Sequence, residues 1–185
     1  METAKTTQKA VFSVYGVPPD LAKDINKVAQ RRAPLHATVS YAGIQPDLQD
    51  DNFRDTPKYF EWFTATEDLP QTKTVDFIIG DVTPGDHAAV VMLRLAFADQ
   101  HNESIFDIAY KKDFDILGSQ MTAATRDAHN GIHITVKNIE CDGDTAAAMD
   151  LAKVCAAEMS VSLAHLKGTR FTGTYALMRG REKVY

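Results

Sequence analysis

The chain has 185 residues, 44% apolar and 24% charged, with 20 Lys+Arg against 25 Asp+Glu. That is an ordinary globular composition, which excludes disordered, collagen-like and fibrous classes, and the length suits a single domain over residues 1–185. A net charge of −5 argues against non-specific duplex DNA binding, which needs a basic footprint, but leaves room for a small phosphorylated ligand in a local pocket.

The charge is uneven. Between His165 and Tyr185 stand Lys167, Arg170, Arg179, Arg181 and Lys183 against one anion, Glu182. A run of this kind reads first as a solvated surface and, more sharply, as an attraction for nucleotides. Met1 to Ala10 is polar and has no apolar core of a signal peptide, and the longest apolar run, Ala88 to Ala98, is too short for a membrane span. Neither Cys141 nor Cys155 belongs to a CxxC pair, so the sequence offers no disulfide framework and no structural zinc motif. The expected setting is the cytoplasm, with no membrane partner.

Alternation predicts a first strand over Ala10–Gly16, closed by Gly16 and Pro18-Pro19. A helix follows from about Pro19 to Arg31, with Leu21, Ile25, Val28 and Ala29 on one face. Leu35 to Tyr41 alternates as a second strand. Residues 45–73 lose periodicity, being first acidic and then aromatic, and read as an inserted loop or lid with one short helix around Tyr59, Trp62 and Phe63. Thr74–Val82 and Ala88–Phe97 are strand-like around a turn at Pro84-Gly85-Asp86. A helix is expected from about Asn102, then a loop over 118–130 and a strand over Gly131–Ile139. Asp144 is placed to cap an alanine-rich helix, and Phe171–Met178 closes the chain as a strand. Strand, helix, strand thus occurs twice, over 10–41 and 88–139, which suggests an internal duplication.

Both halves carry the same pattern on their second strand: Leu35-His36-Ala37-Thr38-Val39 and Ile132-His133-Ile134-Thr135-Val136. Strand alternation puts His36 and Thr38 on one face, and His133, Thr135 and Lys137 on one face, with aliphatic residues behind them. Two such flanked matches arise by chance at roughly one in a thousand. Either motif alone reads as a polar surface pair.

The two motifs resemble those of the 2H phosphoesterases, named for paired His-x-Thr/Ser motifs on facing strands. The resemblance implies an α+β, two-lobed fold with two antiparallel sheets forming a central groove and helices outside. It also implies metal-independent phosphodiester cleavage next to a ribose hydroxyl, with no cofactor. The compact chain and the aromatic Tyr41 after the first motif look more like the phage anti-CBASS nucleases. That implies small cyclic di- or trinucleotide signals as substrates and a role in phage evasion of bacterial immunity, in the host cytoplasm. The alternatives are a 2′,3′-cyclic phosphodiesterase acting on RNA ends and a non-catalytic nucleotide- or RNA-binding module.

The chemistry stands without the family. One imidazole takes a proton from water or a ribose hydroxyl, and a second returns one to the leaving oxygen. Thr38 and Thr135 are placed to donate to the non-bridging oxygens. Candidate substrate-binding residues are Lys137, Tyr15, Trp62 and Arg94: a cation by parity, two stacking aromatics, and a lone charge in an apolar strand. Trp62 and its aromatic neighbours read first as core of the inserted segment and only second as a base-stacking lid. Tyr41 falls on the buried face by parity. His129 and His133 have a helical metal-ligand spacing, but the strand pattern around Gly131 argues against a metal site. His87, His101 and His165 stand alone, and Asp142-Gly143-Asp144 reads as a turn with an N-cap rather than a calcium loop.

Overall fold

The computed structural model describes residues 8–30, 34–118, 131–140 and 143–185. Seven strands appear: β1 (Ala10–Gly16), β2 (His36–Ile44), β3 (Thr74–Pro84), β4 (Val90–Phe97), β5 (His133–Asn138), β6 (Arg170–Arg179) and a short β7 (Glu182–Lys183). Four α-helices accompany them: α1 (Pro19–Ala29), α2 (Pro57–Glu67), α3 (Gln100–Leu117) and α4 (Thr145–Ser162). The strand order is β1-β2-β5-β4-β3-β6-β7, all antiparallel, and β1 also pairs with β6.

That extra pairing corrects the expectation of two sheets. The first six strands close into one ring, a barrel in which edge N–H and C=O groups find partners. The two lobes survive as halves of the ring, β6-β1-β2 and β3-β4-β5. One seam runs from Thr74↔Thr174 to Ile78↔Arg170. The other is a single pair, Ala37↔Ile134, between the two motif strands. The barrel is therefore weakest where the histidines lie.

Local signals explain the element ends. Pro19 starts α1, and Gln30 ends it by adopting φ 53°, so the helix stops short of Arg31. Asp99 caps α3, and Gly118 in left-handed geometry terminates it. Asp144 caps α4 through the Ala147 N–H at 3.0 Å, as the sequence indicates. The expected loop over 118–130 lies outside the described residues from 119 onward.

One face of the barrel is covered by helices. Phe106 of α3 packs against Tyr15, Phe77 and Phe97, joining three strands to one helix. The segment over 45–73 belongs to this packing. Three short 3-10 turns and α2 bury Leu48, Phe53, Tyr59, Trp62 and Thr72. Thr56 caps α2, and its aromatic stripe delivers Trp62 to the interior.

Two candidate substrate residues are corrected here. Tyr15 is 0% exposed and donates its hydroxyl to the Thr72 carbonyl at 2.7 Å. Trp62 is also 0% exposed and donates Nε1–H to Asp113 at 2.9 Å. Both are core aromatics whose polar atoms needed buried partners, so neither can stack on a base.

Asp113 organises a polar cluster beneath α3. Its carboxylate accepts from Trp62, from Ser13 at 2.5 Å and from Tyr175, and lies 3.3 Å from Lys112. Lys112 in turn donates to Thr66 and Tyr175. Burial pulls the Lys112 ammonium below its ordinary range while Asp113 opposes the shift, and burial with Asp113 pushes the Tyr175 phenol up.

The C-terminal cations are largely committed to ion pairs. Lys167 meets Asp81, Arg170 meets Asp76, and the buried Arg179 meets Glu182 while lying over Phe53. Among the described residues no helix is long and apolar enough to cross a membrane.

Candidate active site

The site begins at the Ala37↔Ile134 pair. Carrying the antiparallel register one residue either way sets His36 opposite Thr135 and Thr38 opposite His133. The two motifs thus lie head to tail on neighbouring strands, about an approximate two-fold. Ala37 and Ile134 are buried on the helix-covered side, while His36, Thr38, His133 and Thr135 are half-buried on the other.

The imidazoles are held in the same way. His36 Nδ1 donates to the Pro34 carbonyl at 3.1 Å, and His133 Nδ1 donates to the Gly131 carbonyl at 3.0 Å. A carbonyl can only accept, so Nδ1 carries a proton in both rings. Left-handed Gly131, φ +59°, turns the backbone immediately before β5.

The surroundings differ. Burial, aided by the Arg94 charge and opposed by the Gly131 hydrogen bond, pulls the His133 pKa below the ordinary histidine value. Arg94 is in register with His133 across β4 and β5. Its Nε donates to Thr83 at 2.9 Å, and its guanidinium lies 3.7 Å from Asp86. As the cross-strand partner of His133, Arg94 is on the same side of the sheet as the histidine, with its side chain 30% exposed.

His36 faces a cleft of about 940 Å³ that also involves Phe12, Gln30, Lys137, Met178 and Arg181. The Phe12 ring lies 5.7 Å from the His36 ring. Phe12 also joins Val14, Ala176 and Met178 in a small apolar cluster.

Two of the bulges, one in each motif strand, alter strict strand parity beside the histidines. In β1–β2, Ser13↔Ser40 is followed by Val14↔Thr38, which skips Val39. Ser40 therefore turns toward Ser13, at 2.8 Å, and Tyr41 becomes 42% exposed opposite Phe12, contrary to its expected burial. In β4–β5, Val91↔Lys137 is followed by Met92↔Thr135, which skips Val136. Lys137 consequently reaches α4, its Nζ 3.7 Å from Cys155 Sγ, while still lining the cleft.

Sequence reasoning missed Phe12 as a cleft residue and named Arg181 only as one member of the basic C-terminal run. The alternation of β1 puts Phe12 off the core face, but nothing in the sequence says that this face meets His36. Among the described residues no three His, Cys, Asp or Glu side chains converge as a metal site requires. His129 lies outside the described residues, and His87, His101 and His165 are exposed.

No protein-family model matches the chain, and no curated protein sequence matches it. Among solved structures it is similar to Usb1 of Kluyveromyces marxianus, at 12% identity, with a TM-score of 0.53 over 97% of each chain. That likeness is one of fold: the mixed α/β architecture is shared from end to end.

Proposed function

We propose that the chain is a phosphodiesterase of small nucleotides, with His36 and His133 as its acid–base pair. The observation that carries this is the matched Nδ1 bonding of the two histidines on adjacent, antiparallel motif strands, which orients both rings alike and sets the two motifs head to tail. The resemblance of the motifs to those of the 2H phosphoesterases points the same way.

In the reaction, water or a ribose hydroxyl gives its proton to a neutral imidazole as its oxygen attacks phosphorus. The P–O bond to the leaving group breaks, and that oxygen takes a proton from the second ring, an imidazolium. Thr38 and Thr135 donate to the non-bridging oxygens, where negative charge builds. His133 suits the base: burial and Arg94 keep it neutral at pH 7. His36 is then the acid.

The cleft beside His36 falls in the usual range of small-ligand sites, about 300–1,000 Å³. Together with the acidic balance of the chain, this favours a small nucleotide over long RNA, and cyclic di- and trinucleotides lead as substrates. The test incubates the protein, in EDTA, with a cyclic dinucleotide, a cyclic trinucleotide and an RNA ending in a 2′,3′-cyclic phosphate, and identifies the products. Cleavage of a cyclic oligonucleotide is the expected result. Opening of the RNA end alone would move the substrate to RNA termini. Binding without cleavage of any of them would make the chain a nucleotide-binding module, and cleavage abolished by EDTA would contradict metal-independent catalysis.

A further inference from the structure

The cleft beside His36 has a chemistry of its own. In a chain of net charge −5, its described lining includes two cations, Lys137 and Arg181, and no carboxylate. Apolar groups form much of the wall: Phe12, Val28, Pro34 and Met178. Gln30 and Asn138 add carboxamides, which can both donate to and accept from a base edge. Apolar wall, amides and cations without anions make a set suited to a base joined to a phosphate.

The fold delivers these groups from separate elements. Gln30 leaves α1 in left-handed geometry, φ 53°. Gly180, φ +61°, turns the chain after β6 and bonds its N–H to the Ala10 carbonyl at 2.8 Å. The arginines on either side of that glycine have different fates. Arg179 is buried and bonded to the Gln49 and Asp50 carbonyls and to Glu182. Arg181 is exposed and lines the cleft. Lys137 has a long contact to the Cys155 thiol, 3.7 Å, a weak partner beside a phosphate oxygen.

We propose that this cleft binds the nucleotide unit adjoining the scissile phosphate, with Phe12 and Met178 against the base and Arg181 and Lys137 on a second phosphate. The inference deepens the phosphodiesterase reading by giving the substrate at least one phosphate beyond the one cleaved. A cyclic di- or trinucleotide has it; a 2′,3′-cyclic mononucleotide does not.

Calorimetry with adenosine 3′,5′-bisphosphate and adenosine 3′-monophosphate tests the cleft directly, because neither carries a diester to cleave. The wild-type protein should bind the bisphosphate about tenfold or more tightly than the monophosphate. Arg181→Ala should remove most of that advantage, and Arg181→Glu should reverse it. Phe12→Ala should weaken both ligands about tenfold, the usual worth of one stacked base. Equal binding of the two ligands by the wild type, an advantage that survives Arg181→Glu, or no binding of the bisphosphate would each overturn the proposal. The two readings fail separately. If no diester is cleaved but Arg181 governs bisphosphate binding, the subsite stands without the chemistry. If diesters are cleaved and the Arg181 and Phe12 variants bind as wild type does, the chemistry stands without the subsite.

Discussion

Strands β1 and β2 carry two polar clusters on opposite sides, and the clusters are built differently. On the helix-covered side, Ser13 and Ser40 join Asp113, Lys112, Tyr175 and Trp62, every one buried and each bonded within the group. On the other side His36 and Thr38 meet His133 and Thr135, half-buried, with each ring fixed by one backbone bond at Nδ1. A polar group in the first cluster is committed to its neighbours. In the second, each ring is oriented by a backbone carbonyl on a half-buried surface. The first arrangement holds a fold together, and the second is suited to moving protons.

Substitutions should separate these roles. The largest effect is expected in the groove: His36→Ala or His133→Ala should each lower kcat by about 10²- to 10⁴-fold while the melting temperature stays near wild type. A melt that collapses with either variant would erase the contrast. Next comes Asp113→Ala, which strands the buried Lys112 ammonium and should cost about 3–5 kcal/mol in denaturant unfolding. An Asp113→Ala protein of wild-type stability would show that the cluster is not what secures α3 to the barrel. Thr135→Val should slow turnover about ten- to hundredfold, the worth of one hydrogen bond to a charged oxygen, with little change in stability.

The smallest effect is a pH shift. Because burial and Arg94 depress the His133 pKa, the acid limb of kcat/KM should fall below pH 6.5, the ordinary histidine value. Arg94→Met should move it back toward 6.5. The sign is the same for stability: the neutral, half-buried His133 contributes in full above pH 6.5, and that contribution is lost as pH falls through its lowered folded-state value. An acid limb above 6.5 would remove His133 as the base.

Much of the groove could be read from alternation, because Leu35-His36-Ala37-Thr38 fixes which side chains share a face whatever strand lies alongside. The neighbours could not be read. Ring closure depends on β1 pairing with β6, a contact far apart in sequence that leaves no local trace. Bulges also defeat parity: the skipped Val39 exposes Tyr41, and the skipped Val136 sends Lys137 toward α4. Tyr15 and Trp62 mislead for another reason. Their hydroxyl and indole N–H suit a wet site, yet Thr72 and Asp113 satisfy them in the core. Asp113 itself gave no signal, since an acidic residue on an amphipathic helix reads as surface until its partners are known.

The central claim is that the two histidines act together on one phosphodiester. It is tested most directly by following product release from a cyclic oligonucleotide with the wild type and a His36→Ala/His133→Ala double variant, matched for folding by circular dichroism. The account predicts turnover by the wild type and none above background in the double variant. Turnover by the double variant at the wild-type rate would contradict it.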